Sequence, residues 1–288
     1  MAGEADMTGR TCMITGATNG IGKAAALALA RLGAGLVLVG RNRERGERAV
    51  EEIRRESGND DISLLLADLS SQAEIRQLAK DFLATGRPLH VLLNNAGVIN
   101  MRREETIDGI EATFAVNHLA YFLLTELLLE RLKESAPARI VSVSSDAHAQ
   151  SGGRLDFDDL ESRKRFSLMR VYGKSKLANI LFTRELAQRL SGTGVTADCL
   201  HPGFVGSNFA RNNGAFASVA MTLLRPFARS PEKGAETAVY LCSSPEVEGV
   251  SGEYFIDCKA RAPRSFACND EDARRLWEVS ERMTGLAA

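Results

Sequence analysis

Short apolar runs alternate along the chain with longer segments in which apolar residues recur at helical spacing. The runs that predict strands are Thr11–Thr15, Gly35–Val39, Ile62–Ala67, Leu89–Leu93, Arg139–Val143, Val195–Leu200 and Glu253–Ile256. The segments that predict helices are centred on Lys23–Leu32, Glu44–Glu56, Gln72–Leu83, Phe114–Leu132, Tyr172–Leu190 and Pro231–Leu241. This alternation is typical of an α/β fold with a parallel sheet and helices on both faces.

No repeat, linker or shift in composition interrupts the alternation, so we expect a single domain over residues 1–288. Two stretches fall outside it, the charged residues 150–169 and the apolar residues 206–229. Both follow predicted strand ends, where open α/β sheets bind ligands. The apolar stretch suits a lid over an apolar substrate, and core packing or a subunit contact would explain it equally well.

The composition describes an ordinary folded chain with little net charge. Of 288 residues, 44% are hydrophobic, and 36 Lys and Arg against 37 Asp and Glu leave a formal charge of −1. Such a chain has no overall field that would attract nucleic acid, which favours a small-molecule partner. The apolar character of residues 119–132 is typical of a helix buried between the sheet and a partner subunit, as in a homodimer or homotetramer.

The cysteines and the first residues give expectations about location. The five cysteines are scattered, with no Cys/His cluster at metal-ligand spacing, which fits reduced thiols in the cytoplasm and no metal site. The opening MAGEADMTGR contains no apolar stretch. We therefore expect neither a signal peptide nor a transmembrane anchor.

A glycine-rich turn, TGATNGIG at residues 15–22, lies between the first predicted strand and the first predicted helix. Glycines permit positive φ and a close approach of main-chain amides to a diphosphate, which the N-terminus of a helix favours. The spacing is GxxxGxG, and many turns that bind nothing carry two glycines before a helix. The pattern therefore predicts a dinucleotide site only together with further signals.

The end of the second predicted strand carries Arg41 and Asn42 and no acidic residue. An acidic side chain there would bind a ribose 2′-hydroxyl, whereas an arginine accommodates a 2′-phosphate. The guanidinium of Arg41 offers a planar fork of donors for such a phosphate. The sequence therefore favours NADP(H) over NAD(H).

Tyr172 and Lys176 lie four residues apart in a predicted helix and so share one face of it. A phenol with a pKa of about 10 is a weak acid at neutral pH, and a nearby ammonium lowers that pKa. We therefore expect Tyr172 to be a general acid toward a carbonyl or a general base toward an alcohol. The same spacing also arises by chance on solvated helices.

Polar side chains also mark the predicted carboxyl edge of the sheet. Ser144 and Ser145 end the fifth predicted strand, where one hydroxyl could hold a substrate oxygen or cap the following turn. His148, close by, we interpret as a solvated loop histidine. Asn95 follows the fourth predicted strand, and Asn117 interrupts an apolar helix, where its amide requires partners if it is buried.

Taken in order, TGATNGIG, NNAG, Asn117, SVSS, YGKSK and HPG resemble the motifs of the short-chain dehydrogenase/reductase family, over about the first 205 residues. Within that family, GRN, DLSS, NHLAYFLLT, LDFDDLES and KLANILFTRELAQRL are most similar to retinol-dehydrogenase-like members. The resemblance implies a doubly wound Rossmann fold with a parallel seven-stranded sheet.

The resemblance also implies roles for individual residues. Tyr172 would exchange the proton, and Lys176 would lower its pKa and bind the nicotinamide ribose. Ser145 would orient the substrate oxygen, and Asn117 would hold a water in the proton relay. The residues that we expect to bind the cofactor are Gly16, Thr18, Asn19, Gly20, Ile21, Gly22, Arg41, Asn42, Asp68, Leu69, Asn95, Ala96, Gly97, Tyr172, Lys176, Pro202, Gly203 and Val205.

We therefore expect an NADP(H)-dependent oxidoreductase that interconverts an apolar aldehyde or ketone and its alcohol. The alternative is a catalytically silent NADPH-binding redox sensor that acts through a protein partner. The intact serine, tyrosine and lysine set favours the enzyme, because a sensor would not require it. A sugar-nucleotide epimerase would need a larger substrate domain than the roughly 85 residues after His201 provide.

Overall fold

The computed structural model describes residues 5–205 and 228–287. The strands are β1 (Thr11–Thr15), β2 (Gly35–Gly40), β3 (Ile62–Leu66), β4 (Val91–Asn94), β5 (Ala138–Val143), β6 (Val195–His201), β7 (Tyr254–Ile256) and β8 (Lys259–Ala260). The main helices are α1 (Gly20–Arg31), α2 (Arg43–Ser57), α3 (Gln72–Ala84), α4 (Ala112–Glu134), α5 (Leu168–Arg189), α6 (Pro231–Ser243) and α7 (Asp270–Met283). Most predicted elements are present within a few residues of the expected bounds.

The strands form one sheet in the order β3-β2-β1-β4-β5-β6-β7-β8. All neighbours pair in parallel except β7 and β8. The chain winds outward from β1 in one direction as far as β3 and then returns to β4 on the other side of β1. This reversal opens a crevice at the carboxyl ends of β1 and β4, where doubly wound sheets bind their ligands.

The sheet has eight strands in place of the seven expected. The additional strand, β8, is two residues long and pairs with β7 as an antiparallel hairpin. Asp257 and Cys258, which join the two strands, both have positive φ (50° and 57°). A tight hairpin turn of this kind usually carries Asn or Gly, so Asp-Cys gave no recognisable signal.

Both faces of the sheet are buried, because side chains along a strand alternate between them. In β1, Cys12 and Ile14 pack with helices α1 and α6, while Met13 packs with helices α3, α4 and α5 on the opposite face. This explains why the strands are continuous apolar runs.

Helix α4 has the length and composition of a membrane-crossing segment, with a mean hydropathy of 1.4. However, 78% of its apolar window is buried inside the fold. It packs against α3 and α5 within the same chain. Its apolar surface is therefore covered largely without the partner subunit that the sequence suggested.

Residues 150–169 are anchored to the C-terminal helix. Leu155 and Leu160 are buried with Leu276 of α7. The guanidinium of Arg154 donates two hydrogen bonds to the Asp272 carboxylate, at 2.8 and 2.6 Å. The other irregular stretch, 206–229, lies outside the described residues except for its last two.

Helix α7 also contacts α4. The imidazole of His118 is fully buried, and its Nε2 lies 2.9 Å from Ser280 Oγ in a hydrogen bond. Burial lowers the pKa of His118 to about 3, so the ring is neutral at physiological pH. Trp277 of α7 packs edge-on against Phe122 of α4, 4.9 Å between centroids.

Candidate functional site

The glycine turn leads from β1 into α1 as the sequence predicts. Gly16 and Gly20 have φ of 66° and 55°, a conformation that other residues rarely adopt. The side chain of Asn19 caps the helix by accepting from Gly20 N–H at 2.8 Å. The amides of Ile21 and Gly22 precede the helix's first main-chain bond, so they are donors for an anion.

Asn95 ties the glycine turn to β4. Its Nδ2 donates to Thr15 O at 2.7 Å, and its main-chain N–H donates to Thr15 Oγ1 at 2.9 Å. A Cβ at Gly22 would lie 2.4 Å from Asn95 Nδ2, and one at Gly16 would lie 2.9 Å from Ala96 Cα. The turn can pack this closely only because both residues are glycine.

The far side of the turn faces the end of β2. A Cβ at Gly40 would lie 2.6 Å from Thr18 Cγ2, so these residues are in direct contact. Arg41 follows, exposed to solvent, and forms no ion pair with any residue that the structure describes. Asn42 immediately precedes α2, and its side-chain oxygen accepts from Arg45 N–H at 2.9 Å. That oxygen therefore caps the helix.

Asp68 and Leu69 follow β3. The carboxylate of Asp68 accepts from Ser70 N–H at 2.9 Å, and Asp68 N–H donates to Glu74 Oε2 at 2.7 Å. Leu69 is buried in the core. Ala96 and Gly97 are half-buried in the loop after β4.

The segment after β6 is fixed by Arg229. Val205 forms a single parallel bridge with Arg229, whose N–H donates to Phe204 O at 2.7 Å. Gly203 has φ of 81°, and a Cβ on it would lie 2.7 Å from the Arg229 side chain. Pro202 precedes it, half-buried. These residues lie at the same edge of the sheet as the glycine turn.

Tyr172, Ser145 and Lys176 are brought together by α5 and the end of β5. The phenol of Tyr172 is hydrogen-bonded to the Ser145 side chain. Lys176 Nζ lies 5.7 Å from the centre of the Tyr172 ring and donates to Val143 O at 2.9 Å. Helix α5 begins one turn earlier than predicted, so Tyr172 lies in its second turn and Lys176 in its third.

The pKa of Tyr172 differs from the sequence expectation. Burial raises it to about 12, and the hydrogen bond from Ser145 opposes part of the rise. Burial also lowers the pKa of Lys176 to about 7. The net shift of the Tyr172 pKa is therefore upward, since burial outweighs any lowering by Lys176, whose own amine is only partly charged near neutral pH and binds the Val143 carbonyl.

The two serines at the end of β5 have different surroundings. Ser144 is buried, and its hydroxyl donates to Lys176 O at 2.7 Å, which holds α5 against the strand. Ser145 is half-buried, and its Oγ accepts from Ala147 N–H at 3.1 Å. The Ser145 hydroxyl hydrogen is thus free to point at the phenol.

Asn117 lies in a π-helical segment of α4, Ala115–Leu119. Such irregular turns are frequent at functional sites. The Asn117 amide accepts from Val98 N–H at 2.7 Å and donates to Val98 O and Ser175 Oγ, each at 3.0 Å. The Ser175 hydroxyl donates to Tyr172 O at 2.7 Å. Asn117 thus connects the loop after β4 to the helix that carries Tyr172.

Tyr121 is a site residue that the sequence reasoning missed. Its phenol donates to Ala96 O at 2.8 Å, and its ring lies 5.8 Å from Lys176 Nζ. It follows Asn117 by four residues, so helical spacing alone would have placed both on one face. Thr15 and Ser175 were also missed. The Thr15 hydroxyl bonds to Asn95 and the Ser175 hydroxyl bonds to Asn117, and no local sequence pattern indicates these distant contacts.

This site has the components for binding a dinucleotide and moving a proton. Free amides at the start of α1, the close-packed glycines and the exposed Arg41 fit a phosphorylated dinucleotide. The buried phenol, hydroxyl and amine fit proton exchange with an oxygen. Among residues 5–205 and 228–287, no group of three His, Cys, Asp or Glu is arranged to hold a metal ion.

Known proteins are similar to this chain in sequence and in architecture. Residues 10–156 match the family described as short chain dehydrogenase. The chain is 47% identical over 278 residues to retinol dehydrogenase 12 of Mus musculus, covering 96% of this chain and 87% of that protein.

Two solved structures show the same fold. An uncharacterized protein of Mycobacterium Paratuberculosis superposes with a TM-score of 0.78 at 30% identity, covering 99% of this chain and 97% of that one. A short chain dehydrogenase of Burkholderia cenocepacia J2315 in complex with NADP gives 0.68 at 25% identity, covering 86% and 96%. The chain therefore belongs to the short-chain dehydrogenase family, is retinol-dehydrogenase-like within it, and is an oxidoreductase that uses a nicotinamide cofactor.

Proposed function

We propose that this protein is an NADP(H)-dependent reductase of apolar aldehydes or ketones, which also oxidises the corresponding alcohols. The observation that carries the proposal is the buried Tyr172 phenol, hydrogen-bonded to Ser145 and lying beside Lys176. With a pKa of about 12, Tyr172 holds its proton throughout the neutral range. That is the state required of a donor to a carbonyl oxygen.

The proton chemistry follows from these side chains. Ser145 orients the carbonyl oxygen toward the phenol, and Tyr172 donates its proton to that oxygen. Lys176 is held by the Val143 carbonyl. In its charged form Lys176 stabilises the phenolate that remains on Tyr172. When bound, the nicotinamide supplies the hydride. In the oxidation direction Tyr172 would accept the proton as a phenolate, a form that its pKa of about 12 makes scarce near neutral pH.

The preference for NADP(H) is supported by Arg41. It is exposed after β2, free of ion pairs within the described residues, and close to the Thr18 contact with Gly40. An unpaired guanidinium at this place matches a 2′-phosphate. The structure of a family member with NADP bound is consistent with this choice.

The substrate class is supported by a relative named for retinol, an apolar alcohol. We therefore propose an apolar carbonyl compound as substrate, and aldehydes of increasing chain length, cyclic ketones and retinal form a suitable panel. Oxidation of NADPH is followed by absorbance, in wild type and in Tyr172→Phe. We expect turnover that increases with apolar chain length and is abolished in Tyr172→Phe, with NADPH binding retained.

The outcomes are distinct. Tight NADPH binding without turnover on any compound of the panel would contradict the enzymatic proposal and favour a redox sensor. Undiminished turnover in Tyr172→Phe would refute the role of the phenol. Tyr240→Phe is the control, because its hydroxyl is bonded to Glu246 on the surface at 3.1 Å and we expect no change.

A further inference from the structure

The peptide group that joins Ser145 to Asp146 is held by a histidine on each side. The N–H of Asp146 donates to His201 Nδ1 at 3.1 Å. The carbonyl of Ser145 accepts from His148 Nδ1 at 2.8 Å. One rigid peptide plane, next to the hydroxyl that contacts Tyr172, thus has both of its polar groups bonded to imidazoles.

Each bond requires a particular neutral form of the ring. His148 Nε2 accepts from Arg264 N–H at 3.2 Å, so the proton of His148 is on Nδ1, where it serves the Ser145 carbonyl. His201 Nδ1 accepts from Asp146 N–H, so the proton of His201 is on Nε2. Neither nitrogen that faces the peptide is available for another role.

The rings are themselves fixed by distant parts of the chain. His148, which we expected to be solvated, is only 2% exposed and packs edge-on against Tyr254 of β7, 5.5 Å between centroids. His201 is the last residue of β6 and pairs with Ile256. Two strands and the segment before α7 therefore determine where this peptide lies.

We propose that His148 and His201 are positioning residues that hold the Ser145–Asp146 peptide so that the Ser145 hydroxyl faces Tyr172. This inference rests on the proposed reductase function for its kinetic consequences, since Ser145 is the residue assigned to orient the substrate oxygen. Neither histidine exchanges a proton with substrate. Both act through the placement of Ser145.

Acid disrupts this arrangement. A proton on His201 Nδ1 would face the Asp146 N–H, and a proton on His148 Nε2 would face the Arg264 N–H, so each bond would be lost. Burial lowers the pKa of both rings, which keeps them neutral at neutral pH. The charged groups that face the rings are the carboxylates of Asp146 and Asp257, which oppose that lowering, and the guanidiniums of Arg229 and Arg264, which add to it. A charge on His148 would also lower the pKa of His201.

Substitution of His201 provides the first test. Asparagine places an acceptor where Nδ1 lies but does not titrate, whereas leucine provides no acceptor. We expect kcat for carbonyl reduction to fall about ten- to one-hundredfold in His201→Leu, as small misplacements of catalytic groups do, and to stay within about threefold of wild type in His201→Asn. The acid limb of the pH profile of kcat should flatten in His201→Asn. Equal losses in both variants would overturn the proposal.

His148 is tested together with Ser145. His148→Phe keeps the aromatic packing but removes both hydrogen bonds, and we expect a similar loss of kcat with unchanged affinity for NADPH. In a Ser145→Ala background, His148→Phe should cost no further activity, because it acts through Ser145. Additive losses would assign His148 a general structural role and refute the inference. His90→Leu is the matched control, because His90 Nδ1 also accepts a main-chain N–H, from Thr11 at 2.9 Å, but at the opposite end of the sheet.

Amide hydrogen exchange tests the geometry without any substrate. In the full-length wild type we expect slow exchange at Asp146 N–H at pH 7.5, lost in His201→Leu and restored in His201→Asn. Fast exchange in wild type would overturn the placement of this peptide. If exchange is slow as expected but no carbonyl compound is reduced, the proposed function fails while the arrangement of the histidines stands.

Discussion

Replacing Lys176 with methionine should change how the stability of the protein depends on pH. Lys176 is 2% exposed, and burial lowers its pKa from 10.5 to about 7. Between these values the unfolded chain binds a proton that the folded chain does not. The contribution of Lys176 to the free energy of unfolding therefore rises with pH across this window.

The magnitude follows from the two pKa values. The cost of burying the ammonium is fully present below pH 7, at most about 5 kcal/mol, and disappears by about pH 10.5. Between pH 7 and pH 9 the contribution of Lys176 to the free energy of unfolding should increase by about 2 kcal/mol. Tyr172 does not interfere, because its pKa of about 12 lies above this range.

Denaturation by urea at pH 7 and at pH 9 measures the effect. We expect the rise of about 2 kcal/mol to be missing in Lys176→Met. It should persist in Lys80→Met, because Lys80 is exposed on α3 and serves as the matched control. An equal rise in wild type and in Lys176→Met would show that Lys176 remains charged at neutral pH, and the reasoning from burial would be refuted.

Three further substitutions probe the cofactor side of the site. Arg41→Asp should shift the ratio of kcat/KM with NADPH to that with NADH toward NADH by tenfold or more, and an unchanged ratio would contradict the 2′-phosphate assignment. Gly22→Ala should destabilise the fold and weaken cofactor binding, because the new Cβ would lie 2.4 Å from Asn95 Nδ2. Wild-type affinity for NADPH, measured by titration calorimetry, would contradict this prediction. Tyr121→Phe should lower the free energy of unfolding by about 1 kcal/mol, because the bond to the half-buried Ala96 carbonyl is lost, and no change in urea denaturation would show that this bond contributes nothing.

The sequence predicted the parts of the fold that depend on local pattern. The alternation of apolar runs and helical segments predicted a parallel sheet with helices on both faces. The four-residue spacing of Tyr172 and Lys176 predicted that they share one face of α5. The sequence did not predict β8, because this strand has only two exposed residues and follows an Asp-Cys turn.

What the sequence could not predict depends on contacts between distant residues. His148 is buried because Arg264, 116 positions away, and Tyr254 lie against it. The pKa of Tyr172 is set by how completely the assembled site excludes water, which no spacing reveals. Tyr121 forms its bond with Ala96 across two separate elements.

The contact of α7 with His118 has a consequence for biosynthesis. His118 neighbours Asn117, and its partner Ser280 lies 162 positions later in the chain, in α7. A nascent chain that lacks α7 leaves Leu155, Leu160 and the imidazole of His118 without their cover. The packing around the site is therefore complete only once α7 has been made, and a chain cut before α7 would keep every motif residue but lose this cover.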